Sequence, residues 1–155
     1  MGTSATEVFD LFLALINDWK LDSLYVTSGS AALGVYVEPW LLFSISEFED
    51  ICDQSLTYDS TSGSQMFTET LTQRNINVLS QIMVKFWLQK TVQDILQMNL
   101  AIVDHDFKRF SEAQNLREKR ELYNVKREEV SQMLQDYAYH RNSWSQWKNQ
   151  IFSGG

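Results

Sequence analysis

The sequence predicts a mainly α-helical bundle of about four helices, with one long C-terminal helix and an inserted β-hairpin. Three observations carry that prediction. Apolar residues recur every three or four positions in separate stretches of the chain, which is the period of a helix with one buried face. The stretch LTYDSTSGSQMFTETLT sets two Thr- and aromatic-bearing arms around Asp-Ser-Thr-Ser-Gly-Ser, the pattern of a hairpin. At 155 residues and 44% hydrophobic composition, the chain fits a single helical domain with a real core. Residues 1–140 are expected to form that domain, with the hairpin insert at about 56–71, and residues 141–155 a tail.

The elements follow in order. Ser4-Ala5-Thr6-Glu7 fits a capping box and starts a first helix. Val8, Leu11, Phe12, Leu15, Ile16 and Trp19 form its stripe, and an end is expected between Lys20 and Leu24. LYVTSGSAALGVYVEPW reads as a loop or weak hairpin, because Ser-Gly-Ser marks a turn and Val35, Tyr36 and Val37 favour extended chain. Pro39 suits the first turn of a second helix, whose stripe is Leu41, Ile45, Phe48 and Cys52. Thr72 caps a third helix running to about Asp104, with a broad face of Ile76, Leu79, Met83, Phe86, Trp87, Ile95 and Leu96. Asp104-His105-Asp106 interrupts the pattern and caps a fourth helix expected to reach about His140, roughly 50 Å long. Its apolar residues are sparse. Leu116, Tyr123, Val130 and Tyr137 stand seven apart and form a narrow seam, expected to face neighbouring copies of the chain. The rest alternates in sign through Arg117, Glu118, Lys119, Arg120, Glu121, Lys126, Arg127, Glu128 and Glu129. In the tail, Trp144, Trp147 and Ile151 share one side of a helical turn with Phe152 close by, and such indole-rich ends serve as anchors.

Charge is divided along the chain. Residues 1–70 hold eleven acids and one lysine, net −10. Residues 71–155 hold twelve bases and nine acids, net +3, which returns the whole-chain −7. That split suits two faces with different partners, or contact between copies. An acidic total and interspersed acids in the last helix argue against gripping phosphate backbones. One cysteine, Cys52, excludes an internal disulfide and, on its stripe, reads as a small buried hydrophobe. No apolar run reaches the length of a membrane span, so an intracellular setting is expected. Met1-Gly2-Thr3-Ser4-Ala5-Thr6 formally fits a myristoylation pattern, but no basic cluster follows to strengthen attachment.

The motifs of catalysis are missing. There is no G-x-x-x-x-G-K-[ST] run and no G-x-G-x-x-G after a strand, hence no phosphate cradle. Two histidines and one cysteine do not make a usual zinc site, and His105 is flanked by acids that point in different directions. No sequence feature pairs two acids for proton transfer, and no serine sits in a nucleophile elbow. The expectation is a protein without cofactor or metal that is not an enzyme.

The stretches LSQIMVKFWLQKTVQDILQMN, DFKRFSEAQNLREKRELYN and LQDYAYHRNSWSQW resemble the small helical head–tail connector (adaptor, or neck) proteins of tailed bacteriophages. LALINDWKLDSLY is similar to the first helix of such connectors, and the likeness covers mainly Leu71 to Phe152. The resemblance implies a virion protein assembled in the host cytoplasm. It would form a homo-oligomeric ring of roughly twelve copies between the portal and a downstream neck or tail protein. DNA would pass transiently and without specificity through the lumen. The tail residues Trp144, Trp147, Ile151 and Phe152 would then dock on the portal. The long helix would meet neighbours or line the channel through Arg117, Lys119, Arg120, Lys126 and Arg127, with Glu128 and Glu129 as further subunit charges. The hairpin tip at Ser60 to Gln65 would face the next ring. LYVTSGSAALGVYVEPW has no counterpart in the family's pattern. From a different class, a helical adaptor or regulatory module binding one partner through the Trp tail fits the same residues, as does another neck or tail-completion protein.

Overall fold

The computed structural model describes residues 2–16, 18–60, 65–101 and 106–152; within the helices, side chains at 19, 20, 22, 30, 98–101, 106–112 and 142–152 fall outside that description. The chain is mainly helical, in the order α1 (Ala5–Leu15), α2 (Trp19–Phe48), β1 (Tyr58–Asp59), β2 (Met66–Phe67), α3 (Gln73–Ala101) and α4 (Asp106–Phe152). α3 is the hub, because α1, α2 and α4 all pack on it. Ile76, Leu79, Ile82 and Met83 of α3 are almost fully buried, at the helical spacing that the sequence displays.

α1 starts where expected. Ser4 is its N-cap, and the Ser4 hydroxyl accepts from the Thr6 amide at 3.3 Å. The helix ends sooner than its apolar stripe suggests. Ile16 turns to extended backbone, and the Trp87 indole on α3 donates to the Asp18 carboxylate at 3.1 Å, so the chain is turned at Asp18. Trp19 therefore opens α2 and does not continue α1.

The stretch expected as a loop or weak hairpin is instead helix, and this corrects the sequence-based expectation. α2 runs through it with one break, at Gly29, whose φ of 79° and ψ of 175° no helix contains. Glycine adopts that backbone without the strain that a Cβ brings. Beyond the break, Leu33, Val37, Leu41, Ser44 and Phe48 are buried in one line. Burial of that line outweighs the modest β preference of Val35 and Val37. Pro39 lies inside this helical segment, not in its first turn, and leaves the Val35 carbonyl without its helical donor. Ser44 Oγ donates to the Trp40 carbonyl at 2.7 Å, which satisfies a fully buried hydroxyl.

The hairpin is where the sequence puts it. Tyr58 pairs with Phe67 and Asp59 with Met66 in antiparallel register, while residues 61–64 at the expected tip lie outside the described residues. The segment before α1 extends this sheet. The Phe67 amide donates to the Thr3 carbonyl at 2.8 Å, the Thr3 amide to the Glu69 carbonyl at 3.0 Å, and the Ala5 amide to the Gln65 carbonyl at 2.8 Å. A Cβ on Gly2 would collide with the Phe67 carbonyl oxygen, so glycine permits this close approach. No helix among the described residues is long and apolar enough to cross a membrane.

Candidate interaction surfaces

The heptad seam of α4 is used inside the chain. Val130 and Tyr137 are 2% and 3% exposed in the protein's own core, and Tyr123, Met133 and Leu134 pack against it. α3 covers this seam as an antiparallel partner. Asn77 and Gln81 share a small cleft with Lys126, Glu129, Val130 and Met133, and Asn75 meets Tyr137. Of the four seam residues expected between copies, Val130 and Tyr137 are therefore buried within the chain itself, Tyr123 is partly buried against the core, and Leu116 is half-buried. The physical reason is that α3 carries apolar residues on more than one face and needs covering on each.

A polar node fixes this pairing. The Tyr137 hydroxyl donates to Asp53 Oδ1 and lies 2.8 Å from Asn75 Oδ1, while the Asp53 amide donates back to it at 3.2 Å. Asn75 Nδ2 donates to Asp53 Oδ1 at 3.0 Å and to Gln54 Oε1 at 2.8 Å. Gln54 also accepts from the Thr72 amide at 2.7 Å, and the Thr72 hydroxyl caps α3 at the Asn75 amide at 3.3 Å. Phe48 stands edge-on to the Tyr137 ring at 5.0 Å, with the Arg74 guanidinium 4.4 Å from the ring's centre. Arg141 Nη1 adds a bond to the Cys52 carbonyl at 3.2 Å. The hydrogen bonds from Asn75 and Tyr137 hold the Asp53 carboxyl below the usual carboxylate range. Burial, then the Asp53 contact, pushes the Tyr137 phenol above its ordinary value. Burial also pushes the Cys52 thiol up, in keeping with a packing role for a cysteine 7% exposed.

Past this node α4 overruns its partner. α3 begins at Gln73, yet α4 continues unbroken to Phe152, through residues 140 and 141 where the tail was expected to begin. The seven-residue period continues with it: Tyr137 is followed by Trp144 and then Ile151. Those two positions stand on the face that α3 covers earlier, beyond the point where α3 starts. The side chains of Trp144, Trp147, Ile151 and Phe152 themselves lie outside the described residues. On the described part of α4, Arg117, Arg120, Arg127, Glu128 and Glu129 are exposed, and Lys119 and Lys126 are half-buried. Lys126 pairs with Glu129 at 3.0 Å one turn on, a surface pair of small energetic weight.

A second surface was hidden by the expectation of a loop. α2 is apolar on its outer side as well as its inner one. Val35, Tyr36, Leu42 and Phe43 are exposed, Val35 by 67% and Phe43 by 57%. Val35, Tyr36 and Phe43, with Leu24, Pro39 and the Lys90 rim, frame an open groove of about 630 Å³. Its floor is aromatic and well supported. Trp40 is edge-on to Tyr36 at 5.7 Å, and Phe43 packs on Phe86 of α3 at 5.4 Å. Lys90 is held by Asp94 at 3.0 Å, which raises the ammonium above its usual value. A patch of this kind offers apolar contact to another surface. The signal for it was present in the sequence as an apolar run lacking the alternation of a half-buried strand. No protein-family model, no curated protein and no solved structure matches this chain.

Proposed function

We propose that this chain is a structural assembly protein, and that its setting is the neck of a tailed phage, where it would link the portal to a downstream neck or tail protein. The observation that carries the reading is the overrun of α4: a helix anchored at Val130 and Tyr137 continues past the helix it packs on, bearing Trp144 and Ile151 on the same seam. A helix end this rich in large apolar residues needs a docking surface. In the neck reading that surface lies on neighbouring proteins. The net charge of −7 suits a lumen through which DNA slides without being gripped. The resemblance of Leu71 to Phe152 to connector proteins supports the same assignment. The charges Arg117, Arg120 and Arg127 then face neighbours or the channel.

Mass photometry of the chain alone and mixed with a candidate phage portal tests this. A ring, formed alone or only on the portal, is the expected result. A monomer without portal affinity overturns the neck reading and leaves the adaptor class, one partner bound through the Trp-bearing helix end.

A further inference from the structure

We infer that α4 is the contact between copies: the helices lie side by side in the same direction, and the arginine side of one meets the glutamate side of the next. The inference deepens the assembly reading and rests on its claim that copies of this chain associate.

Six exposed charges between positions 117 and 128 carry it. Arg117, Arg120 and Arg127 stand at intervals of three and seven, and Glu118, Glu121 and Glu128 repeat the same intervals one residue further on. With ~100° of turn per residue, the two triplets form separate stripes ~100° apart around the helix, both off the Val130 and Tyr137 seam that α3 covers. Among the described residues none of the six has an ion-pair partner, while Lys126 and Glu129 on the same helix pair at 3.0 Å. An ordinary solvated helix face sets opposite charges three or four positions apart, where they pair. Here only Arg117 and Glu121 have that spacing; Arg120, Arg127, Glu118 and Glu128 have no opposite charge three or four residues away. Arg117 with Arg120, and Glu118 with Glu121, instead set like charges about one turn apart. Such charges are placed to pair outward, not along their own helix.

A second copy is the partner that matches. Because the two triplets share their spacing, a parallel neighbour shifted by one residue, ~1.5 Å, sets each arginine opposite a glutamate over ~17 Å of helix. A reversed neighbour meets the intervals in the opposite order and brings like charge against like. Leu122 and Val125, 53% and 49% exposed beside the glutamates, gain apolar cover in the same contact. Exposed ion pairs are weak singly, so this pairing sets direction and register more than strength, and salt screens it. Contact between two different sides of identical chains is heterologous, and it closes a ring or grows a filament according to the rotation per step.

The test reverses each side in the full chain. Arg117→Glu/Arg120→Glu/Arg127→Glu makes both sides acidic, and Glu118→Lys/Glu121→Lys/Glu128→Lys makes both basic. Circular dichroism checks helix content, and Arg127→Glu or Glu128→Lys alone replaces a triple variant that loses it. Mass is measured by sedimentation against concentration, for the chain alone and with the candidate portal. The wild type is expected to associate, more weakly as salt is raised, and each variant alone to stay at 18.1 kDa, with association weakened on the order of tenfold or more. An equimolar mixture of the two variants is expected to recover association, since an acidic side then meets a basic one. Variants that associate or enter portal-bound assemblies as the wild type does, or a mixture that recovers nothing, overturn the contact and leave the assembly reading standing. A chain that forms no assembly with or without portal overturns both.

Discussion

Tyr137 donates its phenolic proton to the carboxylate of Asp53, a residue 84 positions earlier in the chain. One bond thereby ties the last helix to the turn that follows α2. Asn75 completes the tie from α3, so three separate parts of the sequence meet at one hydroxyl. Tyr137→Phe removes that hydroxyl and keeps the ring, with its Phe48 and Arg74 contacts. A hydrogen bond to a charged group is worth about 1.5–3 kcal/mol. Thermal melting should show a loss of this size, roughly 2–4 °C per kcal/mol for a chain of this length. An unchanged midpoint would remove the node from the account of what anchors α4.

Acid should weaken the same tie. The folded carboxyl of Asp53 lies below the usual range, held there by Asn75 first and Tyr137 second. A depressed value in the folded state means that its contribution is complete above the unfolded value of about 3.9. It is lost as pH falls from there through the folded value. Urea unfolding of the wild type and of Asp53→Asn, at pH 7 and in steps below pH 4, reads this directly. The stability gap between the two proteins should narrow toward acid; a gap independent of pH would count against the assignment.

Gly29 offers a test of backbone alone. Nothing lies within 4 Å of where a Cβ would stand, so Gly29→Ala creates no clash. Its φ of 79° and ψ of 175° nevertheless put alanine in a region costing on the order of 1–3 kcal/mol. Chemical denaturation should register that cost. A neutral substitution would mean that α2 tolerates a straighter path at this point.

The direction in which the α4 seam faces can be checked on a monomer. Val130→Ala empties a site that is 2% exposed and should cost about 1–3 kcal/mol at any protein concentration. Leu122→Ala, at a residue 53% exposed, should stay within about 0.5 kcal/mol. Equal effects, or a Val130 effect that appears only on self-association, would return the seam to the surface between copies.

Much of this architecture was legible in the sequence, and the exceptions share a physical cause. Ile76, Leu79 and Met83 announce α3 because they recur at helical spacing on a buried face. Asp-Ser-Thr-Ser-Gly-Ser announces the hairpin through turn chemistry, which acts locally. The heptad of Leu116, Tyr123, Val130 and Tyr137 gave the period of α4 but not its partner, since a seam does not name the helix that fills it. Around Val35 and Tyr36 the pattern misled. A helix apolar on both its core side and its outer side loses its period, and Val-Tyr-Val then resembles a strand. The outer groove was masked for that same reason. Asp53 and Asn75 carry no signal at all until folding sets them against Tyr137.

The strand-like segment at Thr3 has a consequence for the order in which the chain folds. Thr3 accepts from the amide of Phe67, and its hydroxyl accepts from the amide of Leu71, 68 residues further on. During synthesis this segment emerges before its partners, and the backbone groups that complete it appear only after α2 and the hairpin have been made. Closing so wide a loop is entropically costly and slow compared with pairing α3 and α4, which follow each other directly. Nascent chains ending short of Leu71 therefore carry an unpaired edge beside the apolar face of α1. Exposed apolar surface beside an unpaired edge favours aggregation until those partners are in place.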